Sequence, residues 1–187
     1  MKKNLEWHET GKKELLKTPV MTVNQITSTA PDNTSGNYIV MEAPDWVIVI
    51  PELEDSFLMV RQWRHGNKSL SIEFPGGVIN SGEKPETAAK RELEEETGYK
   101  AGKLTYLGNV NPNPALMRNK VHFFAAENLI NTGVQHLDED EFVEYLKIPC
   151  QEVYEKSGSE EYPHALMMSA LLKYKLYKEK NSSDFAK

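Results

Sequence analysis

The sequence predicts an α+β domain, read either as a mixed sheet with two or three covering helices or as a three-layer sandwich. Three observations lead there. Short runs of β-branched and aromatic residues, bounded by turn formers, fill most of the first two-thirds of the chain. The stretch after Gly82 changes to helix-favouring residues. The C-terminal quarter carries apolar residues at spacings of three and four. A length of 187 residues favours one domain, or one with a small appendage. With 39% hydrophobic and 27% charged residues, the chain can build a packed core and is too apolar for a disordered one.

Taken in order, PVMTVNQI (19–26) and NYIVM (37–41) are candidate strands on either side of TSTAPDNTSG, whose Pro, Asn, Asp and Gly favour tight bends. WVIVI (46–50) and FLMVRQW (57–63) are joined by PELEDS as a hairpin, and SLSIEF (69–74) follows as a fifth strand. Pro85 suits the first turn of a helix over PETAAKRELEEET, and Gly98 stands where a helix C-cap belongs. KLTYLGNV (103–110), VHFFAA (121–126) and EFVEYLKI (141–148) return to strand character. In YPHALMMSALLKYKLYKEK, Leu166, Met167, Ala170, Leu171 and Tyr174 form one apolar face of an amphipathic helix.

Several function classes are disfavoured by composition. A formal net charge of −6 provides no overall pull toward nucleic acid or an anionic membrane. The single cysteine, Cys150, excludes an internal disulfide and a Cys-based zinc site, which fits a reducing compartment. The N-terminal lysines are not followed by an apolar run, so no signal peptide is expected. Apolar stretches such as Trp46–Ile50 and Ala165–Leu172 are far too short to span a membrane. A cytoplasmic protein is the expectation.

The chemistry concentrates in GGVINSGEKPETAAKRELEEETGY, residues 76–99. At about 3.6 residues per turn, Glu92, Glu95 and Glu96 share an arc of roughly 100°. Like charges so placed repel, and on an arbitrary helix they would form a solvated face. Here the helix is entered from a strand through Gly76-Gly77 and a second turn at Ser81-Gly82, which can bring a backbone carbonyl to the carboxylates. Such hard oxygen donors suit Mg²⁺ or Mn²⁺ rather than zinc.

This segment resembles the signature of the Nudix hydrolases: Gly77, Glu83, Arg91-Glu92-Leu93, Glu95-Glu96 and Gly98 at the family spacing, with Tyr99 in a place more often aliphatic. The resemblance implies a Nudix-type α/β/α sandwich with a mixed central sheet over residues 43–187, preceded by an N-terminal β-strand arm over residues 1–42. It implies Mg²⁺ as cofactor, with Mn²⁺ as a substitute, held by Glu92, Glu96 and the Gly76 carbonyl. Glu95 matches a third acidic position, and Arg91 an arginine that orients carboxylates, including Glu83. An Arg fork can hold a carboxylate through two hydrogen bonds and offset repulsion among acids. Leu93 and Ala89 are read as core residues facing the sheet.

VRQWRHG (60–66), SIEFPGG (71–77) and APDWVIVI (43–50) resemble the ADP-ribose and nucleoside diphosphate sugar pyrophosphatase branch. In that branch Arg64 matches an arginine that contacts substrate phosphate or ribose, and Glu73 lies in a strand lining the pocket. Asn113-Pro114-Ala115 stands where ADP-ribose enzymes typically have Ser-Pro-Gly, which makes a broader nucleotide-sugar hydrolase equally compatible. The acidic stretch LDEDEFVEY (137–145) matches a loop that supplies the base for water and sometimes another metal ligand; alignment by the following strand puts Glu139 at the base position and Glu141 at the metal-linked one, with the two taken as a pair. Strands preceding the core pack on or exchange with a second subunit in related enzymes, which implies a homodimer and makes Tyr38 a candidate clamp for the nucleobase. The partners implied are a small nucleotide-sugar substrate and a second copy, with no nucleic acid and no membrane. Other readings are a dinucleoside polyphosphate or other nucleotide pyrophosphohydrolase, and a non-catalytic nucleotide-sugar-binding module.

Overall fold

A computed structural model of the chain describes residues 4–137 and 141–184. It forms two compact units, one of residues up to Asp45 with Asn111–Lys120, the other of Trp46–Val110 with Val121 onward.

The first unit is a three-stranded antiparallel sheet of β1 (His8–Lys17), β2 (Thr22–Thr29) and β3 (Ser35–Glu42), with β2 in the middle. Position within the sheet explains the burial: Asn24, Ile26 and Ser28 of β2 are buried, while every residue of the edge strand β1 is exposed. Sequence patterning gives no sign of β1, because a strand with no buried face has no reason to alternate. The Asn111–Lys120 segment is tied to β3 through main-chain hydrogen bonds, Met41 N–H to Leu116 O at 2.7 Å and Arg118 N–H to Met41 O at 3.1 Å.

The second unit is a mixed sheet with helices on both faces. Its strands are β4 (Trp46–Leu53), β5 (Ser56–Arg64), β6 (Ser69–Glu73), β7 (Tyr99–Val110), β8 (Val121–Asn131) and β9 (Val143–Pro149), and its helices α1 (Pro85–Thr97), α2 (Cys150–Lys156) and α3 (Ala165–Asp184). The order is β6-β5-β4-β8-β7, with β9 also on β5; β4 and β8 run parallel and the other pairs antiparallel. Strand β4 is covered on both sides, which is why WVIVI is a continuous apolar run. Val47 and Val49 pack with Ala88, Ala89 and Leu93 of α1, whereas Ile48 and Ile50 join Phe57, Phe74, Phe123 and the α3 residues Met167, Ala170, Leu171 and Tyr174. The Phe57 ring meets Phe74 and Tyr174 edge to face, with centroids 5.2 and 5.4 Å apart. The short helix α2 went unforeseen because seven residues are too few to display a helical period. Among the described residues, no helix is long and apolar enough to cross a membrane.

One irregularity places the site. Strands β4 and β5 are paired only at their hairpin, Glu52 with Phe57 and Leu53 with Ser56, and then part. The segment leaving β6 fills the opening: Val49 N–H donates to Pro75 O and Val47 N–H to Gly77 O, each at 2.9 Å.

Candidate active site

Lying between those two carbonyls, Gly76 turns its N–H away from β4 toward α1, where it donates to Glu96 Oε2 at 2.8 Å. A side chain is impossible here, since a Cβ would sit 2.1 Å from Val47 O. At Gly77 a Cβ would meet Glu92 instead, 2.6 Å from Oε1. The Gly-Gly pair therefore brings extended backbone against two carboxylates of one helix. The chain then turns through Ser81-Gly82, Gly82 adopting φ 79°, and enters α1 at Pro85. The helix ends at Gly98, whose left-handed backbone (φ 70°) lets its N–H bond Glu94 O at 2.8 Å, the C-cap geometry glycine favours.

Arg91 organises the acids. Its Nε and Nη2 donate to the two oxygens of Glu83 at 3.1 and 3.0 Å, Nη2 also to Val78 O at 3.0 Å, and Nη1 to Glu92 Oε1 and Glu95 Oε2 at 2.8 and 2.9 Å. Hydrogen bonding to Glu83 raises the proton affinity of Arg91, and the same contact lowers that of Glu83. One guanidinium thus links the loop before α1 to two acids on the helix.

Glu92 and Glu96, one turn apart, lie on the buried side of this array at 8% and 4% exposure. Burial pushes the Glu92 carboxyl up to about 7, opposed by Arg91 and assisted by the charges of Glu95 and Glu141. Burial likewise pushes Glu96 up to about 8, opposed by the Gly76 N–H and assisted by Glu92 and Glu141. Two carboxylates that resist ionisation beside each other form a site short of positive charge, and their hard oxygens with extended backbone fit a divalent cation of the Mg²⁺ or Mn²⁺ type. Among the described residues, no three His, Cys, Asp or Glu side chains already converge as a metal cage. Glu95 and one oxygen of Glu92 are instead drawn to Arg91.

On the same unit Arg64, the last residue of β5, grips Glu73 of β6, with Nε to Oε1 at 2.9 Å and Nη2 to Oε2 at 2.6 Å. Glu73 is only 1% exposed. Burial works to raise its pKa, but the hydrogen bonds and charge of Arg64 outweigh it and hold the carboxyl below its ordinary range. Arg64 is also within electrostatic reach of Glu96. His164 adjoins the pair; burial first, then the charge of Arg64, depresses its pKa, and its Nδ1 accepts the Leu166 N–H at the start of α3.

The structure thus gathers Arg64, Glu73, Gly76, Arg91, Glu92, Glu95 and Glu96 in the second unit. Glu141, just before β9, is exposed and close enough to raise the proton affinity of Glu92 and Glu96. Glu139 lies outside the described residues. Tyr38 belongs to the first unit, where its ring meets Trp7 edge to face at 5.6 Å. Trp63, on β5 next to Arg64, is half exposed. Two neighbours escaped the sequence reading. Gly77 was legible as a motif position but not as the space Glu92 occupies, and His164 gave no signal because its partners are ninety and more residues away.

Comparison with known proteins agrees with this geometry. A family model described as the NUDIX domain matches residues 41–168. The chain is 32% identical over 161 residues to a protein of Bacillus subtilis (strain 168) named ADP-ribose pyrophosphatase, covering 85% of this chain and 87% of that one. It is 28% identical over 125 residues to ADP compounds hydrolase NudE of Escherichia coli (strain K12), covering 67% of each. A solved structure of an ADP compounds hydrolase superposes with a TM-score of 0.85 at 23% identity, over 96% of this chain and 98% of that one, which establishes a shared fold. With its acidic helix, its glycine entry and a family match over most of its length, the chain belongs to the NUDIX domain family.

Proposed function

We propose that this chain hydrolyses the pyrophosphate bond of ADP-ribose or a related nucleoside diphosphate sugar in a Mg²⁺-dependent reaction, releasing a nucleoside monophosphate and a sugar phosphate. The observation that carries the reading is the buried pair Glu92 and Glu96, facing Gly77 and Gly76 and raised in proton affinity first by burial and then by neighbouring carboxylates. The names of the Bacillus and Escherichia relatives support the substrate class.

Glu92, Glu96 and the Gly76 carbonyl would hold the cation, with Mn²⁺ as a substitute. A dication there would neutralise phosphate charge and make a nearby water more acidic. Arg91 keeps Glu92 and Glu95 in place through the Glu83 brace, so that the donors need not reorganise. Arg64 offers the remaining edge of its guanidinium to substrate phosphate. Water adds at one phosphorus as the bridging P–O bond breaks, and Glu139 or Glu141 takes the proton. Exposed apolar residues of the first unit, Trp7, Leu16, Val20, Tyr38 and Ile39 among them, support a dimerisation role for the N-terminal arm, with Tyr38 as a nucleobase contact.

The test is Mg²⁺-dependent release of nucleoside monophosphate from ADP-ribose, ADP-glucose, GDP-mannose, UDP-glucose and a diadenosine polyphosphate, with Glu96→Gln as control. The variant should fold and lose at least about a hundredfold in kcat, on the order of 3 kcal/mol. Near-normal turnover by Glu96→Gln would remove the metal assignment. Turnover of none of these compounds by the unaltered protein would favour a nucleotide-sugar-binding module.

A further inference from the structure

The pairing of Arg64 with Glu73 is more specific than a strand-end ion pair. Both oxygens of Glu73 are engaged by two N–H groups of one guanidinium, and the carboxylate is 1% exposed. An acceptor so enclosed has no edge to offer an incoming sugar or phosphate. The Arg64 side chain, by contrast, is 42% exposed, and only its Nε and one Nη2 hydrogen are needed for the two bonds to Glu73. Arg64 is also within electrostatic reach of Glu96, so a guanidinium released from its two bonds to Glu73 would compete with a cation for that carboxylate. His164 stands beside Glu73, but burial depresses its pKa and its Nδ1 accepts the Leu166 N–H. The charge in direct hydrogen-bonded contact with Glu73 is that of Arg64.

We infer that Glu73 is a positioning residue that locks Arg64 in place, presenting the outer edge of the guanidinium to a substrate phosphate and holding it away from Glu96. A bidentate fork is the arrangement that fixes a guanidinium in both position and plane, which a single contact would not do. This rests on the functional reading above for the identity of the substrate, but not for the competition between Arg64 and a cation.

The test combines E73Q, R64M and R64M/E73L, the last removing both partners of the buried pair together so that no charge is stranded. KM and kcat for ADP-ribose are measured at saturating Mg²⁺, and Mn²⁺ binding to each metal-free protein is titrated calorimetrically without nucleotide. E73Q is expected to raise KM about tenfold while kcat changes by less than about threefold, the pattern of lost ground-state binding. R64M should do the same, and R64M/E73L should be no worse than R64M. Mn²⁺ should bind E73Q several-fold more weakly than the unaltered protein, and R64M/E73L normally. A KM for R64M/E73L well above that of R64M would overturn the inference, because Glu73 would then contact substrate itself. Unchanged KM and Mn²⁺ affinity in E73Q would overturn it too. Should E73Q melt before assay, E73D replaces it, with a smaller rise in KM and the same outcomes deciding. If the unaltered protein leaves ADP-ribose intact, the functional reading fails, while the Mn²⁺ titrations still decide the role of Glu73.

Discussion

Gly77 and Glu92 share one volume: a Cβ on the glycine would lie 2.6 Å from Oε1 of the glutamate, so the carboxylate can stand there only because the side chain does not. Its neighbour Gly76 is constrained by something different, the backbone oxygen of Val47. One glycine makes room for chemistry and the other for the fold.

The two alanine variants should therefore part company. Gly77→Ala displaces a flexible carboxylate and should keep its melting temperature within a few degrees while losing most activity and Mg²⁺ affinity. Gly76→Ala forces β4 and its crossing segment apart and should cost about 1–3 kcal/mol or more, the range of overpacked cores. Thermal melts beside a Mg²⁺ titration separate the two, and equal losses of stability would contradict the distinction.

The metal-free protein should lose stability as pH rises. Glu92 and Glu96 have folded-state pKa values of about 7 and about 8, above an ordinary value of 4.5. A carboxyl raised in this way binds more protons folded than unfolded between those limits, so its contribution is complete below about pH 4.5 and is lost as pH rises toward 8. Melting temperature in chelator should fall between pH 5 and 8, and millimolar Mg²⁺ should reverse the fall. Glu96→Gln should flatten the profile and melt higher than the unaltered protein at pH 8 in chelator. A profile without slope there would contradict the buried-pair account.

Arg91→Lys removes the fork while keeping the charge. A point-charge ammonium cannot reach Glu83, Glu92, Glu95 and Val78 O together, so we expect a loss of about 1–3 kcal/mol in stability and at least tenfold in turnover. Urea unfolding and steady-state assays on the same preparation check both. Retention of full activity would show that the helix acids hold themselves in place.

The first unit should make the protein dimeric. Light scattering at micromolar concentration is expected to give twice the monomer mass, and Trp7→Ser with Leu16→Ser should shift it toward monomer. A monomeric mass for the unaltered protein would contradict the arm as a dimerisation element.

Much of this was open to a reader of the sequence because it is local. The bounds of α1 follow from Pro85 and Gly98, and its chemistry from Glu92 and Glu96 recurring one turn apart, all set within a few residues of one another. The doubly covered β4 was legible as an unbroken apolar run for the same reason. Tertiary structure alone decided the rest. The parting of β4 from β5 admits Gly76 against Val47, the β5–β6 register sets Arg64 on the face of Glu73, and β1 holds its place by hydrogen bonds without a buried face. Periodicity and caps act between neighbours in the chain and leave their trace in residue order. Close approach and ion pairing act between distant segments, and the sequence carries the participants without their meeting.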